Sequence, residues 1–397
     1  MTETRRTTET RWSQVAIATL AQNVATGLTF GSFGTLVLSI EAEYGASRAQ
    51  SSLALSLALV ALSLTAIVVG RMIDTVNLRT LMMTGAIACA AGFGAASVVT
   101  SPLALLLCYL LLIGPGTAML GVLPSMTLAT RWVPEDWRGR ALGVVNMPVL
   151  VMAVPLAIAP LLGSHGPRAV FQVLALADLA LVPILFFVRS GNASPAGGAM
   201  TATPAGAILR QPAFWLLALA IGLITGAGTM KLAHFIPLLT GQGRTFDEAN
   251  GLLALSGGTG LIGSLLFGYL ADRIGGPRAL AFNAAIQAVV WMIFLAPVNL
   301  AVLTLDAIIV GACGGGVQGA FGVAVASRFG PDAFGRAFSL FQIATLPFLF
   351  GMTPIASVLF ERSGSYHLPM ALTVGALAFS SILLFAVSRL PAAPKGT

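Results

Sequence analysis

Twelve apolar segments, each close to the roughly 20 residues needed to cross a hydrocarbon core, follow one another along this chain and leave it few ways to fold. They lie near 14–40, 51–70, 80–100, 103–128, 141–163, 168–188, 212–238, 250–271, 278–297, 300–326, 338–360 and 368–388, and are numbered here as spans one to twelve. Backbone in hydrocarbon has to satisfy its own N–H and C=O groups, so segments of this length are predicted to be helices. The expectation is an all-α membrane protein with 12 transmembrane helices. With 57% of residues hydrophobic and only 9% charged, the composition excludes an ordinary water-soluble domain. Residues 1–13 are polar and run straight into span one, so no cleavable signal peptide is expected.

A net charge of +7 would suit nucleic acid if it were gathered on one face, but it is sorted by loop instead. With a cytoplasmic N-terminus, alternate loops place Arg5, Arg6, Arg11, Arg71, Arg79, Arg131, Arg138, Arg140, Arg189, Arg210, Arg273, Arg278, Arg328, Arg336, Arg389 and Lys395 inside, which is 16 of the 21 basic residues. Arg48, Arg168, Arg244 and Arg362 fall outside, and Lys231 lies within a span. The positive-inside rule then predicts an even number of spans with both termini cytoplasmic, and the basic balance reports orientation rather than a nucleic-acid partner. Cys89, Cys108 and Cys313 lie inside spans at no metal-ligand spacing and read as small core residues, so neither a metal nor a cofactor is expected.

The chain also repeats itself. Gly70-Arg-Met-Ile-Asp74, followed by Arg79, returns 198 positions later as Gly268-Tyr-Leu-Ala-Asp272-Arg273, followed by Arg278. A second pair runs Arg131-Trp-Val-Pro134-Glu135-Asp136-Trp-Arg138-Gly139-Arg140 and Arg328-Phe-Gly-Pro331-Asp332-Ala-Phe-Gly335-Arg336. The two motifs stand 61 positions apart in the first half and 60 in the second, Gly70 to Arg131 and Gly268 to Arg328. Residues 189–211, rich in Gly, Ala, Pro and Ser/Thr, separate the copies. The predicted organisation is a six-helix half at 1–188, a cytoplasmic linker at 189–211 and a second, pseudo-symmetric six-helix half at 212–397. Repeats of this kind place substrate near the bilayer midplane between halves.

These elbows are similar to the Gly-x-x-x-Asp-(Arg)-x-x-x-Arg loop signature of the major facilitator superfamily, and the six-plus-six plan resembles that family over residues 12–388. Three passages look like its bacterial monocarboxylate and oxalate:formate transporter branch: 32–57, 209–220 and 234–243. The resemblance implies a non-enzymatic secondary transporter working by alternating access as a functional monomer. It implies that spans one, four, seven and ten line the cavity. It also implies that the elbows latch the outward-open state, Asp74 against the start of span eleven and Asp272 against the start of span five. Arg79, Arg131, Arg273, Arg278, Arg328 and Arg336 would complete this cytoplasmic gate with Glu135, Asp136 and Asp332. An aspartate at the end of its own helix is poorly placed for the helix dipole and needs such partners, although topology-setting charges are the plainer reading.

Three charged residues fall well inside spans: Asp178 in span six, Lys231 in span seven and Asp306 in span ten. Each wants a partner, a wet cavity or a changed protonation state. Lys231 and Asp306 lie at similar depth, a placement that would let them pair. His234, three residues after Lys231, is expected on the same helical face, where ammonium and imidazole together would seat a carboxylate. A proton on Asp306 would balance that anion, the charge logic of symport. The competing readings are a snorkelling lysine and structural contacts for His234 and Asp306. Asp178, on a span that the resemblance makes peripheral, reads as a structural hydrogen bond. Gln22 and Asn23 on span one, Tyr109 on span four, Asn146 on span five, Gln318 on span ten and Gln342 on span eleven are cavity candidates, each with interhelical bonding as its rival. Asn283 and Gln287 read as interhelical glue, and Gly314-Gly-Gly316 as a packing surface rather than a phosphate loop.

Departures from the family limit the cargo. Span four has no arginine and span five lacks the glycine-proline signature of drug/proton antiporters. Spans one, eight and eleven lack the ionised residues that animal monocarboxylate and oxalate carriers use there. One membrane cation suits one carboxylate better than two. The sequence therefore points to a small organic monocarboxylate carried with a proton, with export of a neutral or lipophilic compound as the rival.

Overall fold

The computed structural model describes residues 2–73, 76–133, 141, 144–189, 204–296, 298–330 and 334–390, and their side chains except at 2–11, 71, 130, 334, 335 and 339. Among the described residues all regular structure is helical, and eleven helices are long and apolar enough to cross a membrane. The longest, Val149–Leu185, is two helices broken at Gly166, whose φ of 75° only glycine adopts without strain. Pro167 restarts the chain as span six. Counting that break, twelve spans are present, as the sequence predicted.

The ends are set by side chains rather than by hydropathy. Ser47 and Gln50 form a reciprocal capping box that starts span two at Arg48, and Thr245 with Glu248 does the same for span eight at Phe246. Asn77, Ser101 and Asn299 cap spans three, four and ten. Spans two and eight consequently begin about a turn earlier than apolar character alone suggested.

Span five departs from its predicted extent of 141–163. Asn146–Pro148 is non-helical and the helix begins at Val149. Pro148 disfavours helical geometry at Met147 and has no N–H to give, so the segment breaks there. Of the predicted linker, residues 190–203 lie outside the described residues; beyond them stands a short helix, Ala205–Leu209.

The chain divides into two compact units, Met1–Ala196 and Gly197–Thr397. In the first, span three packs along span six, with Phe93 stacked on Phe171 at 6.3 Å. Two of its helices are locally widened into π-turns, Gly27–Gly31 in span one and Tyr109–Ile113 in span four. Gly27 lets span one lie directly against Leu150, where a Cβ would overlap that residue. In the second unit spans eight and ten are the closest pair, and glycine makes the approach possible. A Cβ on Gly263 would enter the backbone of Ala312, and one on Gly315 the backbone of Gly260. Large apolar side chains such as Leu265, Ile262 and Ile382 point outward, as befits helices solvated by lipid.

Gly263→Leu is expected to lower the melting temperature of the detergent-purified protein, since forcing a side chain into this contact costs about 1–3 kcal/mol. Gly375→Leu, on span twelve where an added Cβ meets nothing, is expected to melt like the parent. Equal melting of the two variants would show that spans eight and ten do not pack this closely.

Candidate functional site

In the second unit, Lys231 emerges two thirds of the way along span seven, Pro212–Gly241, and donates from Nζ to Ser256 Oγ on span eight. The Phe235 ring, one turn further on, stands 5.6 Å from the ammonium. Asp306 on span ten is buried, and among the described residues neither carboxylate oxygen has a hydrogen-bond partner. Lys231 and Asp306 lie within electrostatic reach of each other, with Cys313 the further group acting on the lysine. They do not form an ion pair: among the described residues no nitrogen–oxygen approach within 4.0 Å joins them. Ser256 intercepts the ammonium first, and no sequence signal marked it, because a serine on an apolar helix is usually back-bonded to its own backbone.

His234 also departs from expectation. Three residues along an α-helix advance the side chain by about 300°, leaving it about 60° round from Lys231, enough to address other neighbours. Its Nδ1 meets Tyr366 Oη at 3.0 Å, and its Nε2 lies 3.1 Å from the Thr353 carbonyl and 3.2 Å from Ser357 Oγ. A neutral ring protonated on Nε2 donates to the carbonyl and accepts from the tyrosine, satisfying both nitrogens. His234 thus ties span seven to span eleven and to the start of span twelve, away from the lysine.

In the first unit, Asn23 donates to Thr19 O at 3.0 Å and accepts from the Leu150 amide at 3.0 Å. It supplies the acceptor that span five lacks after the break at Pro148. Tyr109 is fully buried with its ring edge on Phe33 at 5.9 Å, and its hydroxyl has no partner. Gln22 Oε1 is likewise buried and unpartnered. Asn146, Gln318 and Gln342 are exposed on their own unit. Asn283 reaches the Cys313 carbonyl at 2.8 Å and receives Gln287 at 2.7 Å, which is the interhelical role foreseen for them. Asp178 contradicts its reading: it is buried, and both oxygens lack a hydrogen bond.

Of the gate residues, Asp74 lies outside the described residues, as do Glu135, Asp136, Arg138, Arg140 and Asp332. Three of the arginines are engaged within their own unit. Arg79 Nε donates to Val188 O at 2.9 Å, at the end of span six. Arg131 Nη2 reaches Ile73 O at 3.2 Å, at the end of span two. Arg328 is buried and donates to Val387 O and, at 2.7 Å, to Leu390 O at the end of span twelve. Each neutralises carbonyls that their own helix leaves open. Asp272, Arg273, Arg278 and Arg336 are exposed, Arg273 lying over the Tyr269 ring at 4.7 Å.

Residues 19–352 match the Major Facilitator Superfamily profile. The fold is similar to that of a bacterial homologue of the human lysosomal transporter Spinster, at 17% identity, with a TM-score of 0.76 over 96% of this chain and 97% of that one. It is also similar to the nucleoside transporter NupG, solved as a point mutant, at 14% identity, with a TM-score of 0.74 over 94% of this chain and 98% of that one.

The division of labour between Lys231 and His234 is open to measurement. In a double-mutant cycle on thermal stability, His234→Ala and Tyr366→Phe are expected to be strongly non-additive, by about 0.5–3 kcal/mol. Lys231→Ala and Tyr366→Phe are expected to add. Coupling of lysine to tyrosine as large as that of histidine would return His234 and Lys231 to one site.

Proposed function

The chain belongs to the major facilitator superfamily, and from that premise we propose that it is a secondary transporter of a small organic monocarboxylate, moved together with a proton. The observation that supports this most directly is the unpaired state of Lys231 and Asp306. They are close enough to feel each other's charge, yet the lysine rests on a neutral serine and the carboxylate on nothing. A purely structural ion pair would close the gap, because removing two charges from water is offset only by direct contact.

A carboxylate arriving at Lys231 takes the ammonium as a charge-assisted partner, with Ser256 free to donate to its second oxygen. Phe235 offers an apolar wall to the body of the substrate. If Asp306 carries a proton in that state, the loaded site holds the same net charge as the empty one, in which lysine and aspartate cancel. Gln318 on span ten and His234 on span seven, with Asn23 and Tyr109 in the first half, are retained as neutral polar candidates for the substrate. The gate reading retains Asp74, Asp272, Arg273, Arg278 and Arg336 as latch residues, with Arg79, Arg131 and Arg328 as braces of the helix ends. In this reading both termini are cytoplasmic, and the protein acts as a monomer in a bacterial inner membrane.

Uptake of a panel of labelled monocarboxylates into proteoliposomes, with and without an inward proton gradient, tests the reading. Stimulation by the gradient is expected. Lys231→Ala should reduce uptake about 10–100-fold, the weight of one hydrogen bond to a charged group. Asp306→Asn should abolish the response to the gradient while preserving exchange of labelled for unlabelled substrate. Absence of carboxylate uptake by a well-folded protein, together with uptake of a neutral compound that survives Lys231→Ala, would replace this reading with neutral-solute export.

A further inference from the structure

At one end of the second unit, the ends of spans eight, nine, ten and twelve surround a cavity of about 200 Å³. A water molecule's share of the liquid is about 30 Å³, so the space takes a small polar headgroup. Its charged walls are Arg278, in the first turn of span nine, and Arg328, near the end of span ten, with Ser327 and Ser388 completing the polar lining. Among the described residues no lining side chain is acidic, and no carboxylate stands within 4.0 Å of the Arg278 guanidinium. Arg328 is buried and held in place by its bonds to the Val387 and Leu390 carbonyls, whereas the side chain of Arg278 is exposed and able to close over what enters. The serine hydroxyls donate to their own helices, at Ala324 O and Phe385 O, which leaves recognition to the arginines. Two like charges on one small space are relieved by an anion between them.

What lies next to the cavity narrows the kind of anion. One turn into span nine from Arg278, the Phe282 ring meets that of Phe385, which stands one turn before Ser388 on span twelve, edge to face at 5.5 Å. Both rings are exposed. Beside them Ser381 Oγ donates to the Ala281 carbonyl at 2.9 Å and holds spans nine and twelve together. Further along the same two helices Ile286 and Val289, and Ile382 and Phe379, continue an outward-facing apolar stripe. A free phosphate or a soluble metabolite has no use for this wall. A phospholipid uses both parts, its phosphodiester at the helix ends, where headgroups lie, and an acyl chain along the seam. Basic pockets between helix ends are suited to acidic headgroups in the same way.

We propose that this cavity binds the headgroup of an anionic phospholipid, with its phosphate between Arg278 and Arg328 and an acyl chain against Phe282 and Phe385. Arg278 presents a planar fork of N–H donors to the phosphate oxygens. Arg328 adds its charge from the wall while keeping the carbonyls of span twelve. The lipid is held in this way whatever cargo the protein carries.

Native mass spectrometry of the detergent-purified protein, titrated with phosphatidylglycerol or with phosphatidylcholine of the same acyl chains, reads this site directly. Phosphatidylglycerol is expected to stay bound at concentrations where phosphatidylcholine does not. Arg278→Ala is expected to weaken that binding about 10–100-fold, as for loss of a hydrogen bond to a charged group. Arg210→Ala, which removes an exposed positive charge before span seven and away from the cavity, is expected to leave it nearly unchanged. Ser388→Glu keeps both arginines and puts a carboxylate into the cavity, and is expected to abolish binding. Arg328 is left intact because it braces span twelve. Equal weakening by Arg278→Ala and Arg210→Ala would overturn the proposal by reducing it to general surface charge, and equal retention of the two lipids would do the same. Inorganic phosphate at millimolar concentration is expected not to displace the lipid; displacement would overturn a lipid as the occupant.

Discussion

The last carbonyls of a helix have no amide of their own to meet and take their partners from outside it. Much of this structure follows from how those carbonyls are satisfied. At the end of span six, three successive carbonyls are taken by side chains from three different places: Gln14 on span one holds Phe187 O at 3.0 Å, Arg79 holds Val188 O, and Trp132 after span four holds Arg189 O at 2.7 Å. Gln14 also accepts from the Arg189 amide. The end of one helix thereby gathers spans one, three and four around it. Arg328 performs the matching task for span twelve. Residues that look from sequence like a mere excess of positive charge are therefore organising each half from one end, while glycine contacts such as Gly263 on Ala312 organise the interior.

The helical plan was legible because hydropathy is a long-range signal: about twenty consecutive apolar residues admit one solution in lipid. What escaped were local events inside the spans. Pro148 was visible, yet an apolar run on either side of it reads as one helix, and the compensating acceptor, Asn23, lies 127 residues away. The break between spans five and six at Gly166 was legible, since the polar residues 163–168 separate two apolar runs. The two π-turns had no legible mark, because a widened turn changes hydrogen-bond register without changing composition.

At the candidate site the sequence singled out the charges inside the spans but not their partners. Lys231 and Asp306 were singled out by rarity alone, a sound guide because charge in hydrocarbon is costly. Their separation was not foreseeable, since it depends on Ser256, one more small residue on a small-residue face. His234 shows the limit of spacing arguments: a neighbour three residues on shares a face only loosely, and Tyr366, Thr353 and Ser357 claimed the ring. For Asp178, the bland prediction failed for the opposite reason. Composition assured that hydrogen-bonding helices surrounded it, and the structure supplies none to its oxygens.

The arginines of the duplicated elbow carry a consequence of their own. Arg79 and Arg278 occupy the same place in the repeat, but Arg79 is bonded to the end of span six whereas Arg278 is exposed, and the corresponding carbonyls of span twelve are held by Arg328 instead. The same duty thus falls to different positions of the repeat in the two halves. Ancestral symmetry here survives as spelling after it has been lost as mechanics, so the two arginines are homologous without being interchangeable, and each half is free to adapt a shared inheritance to a different end.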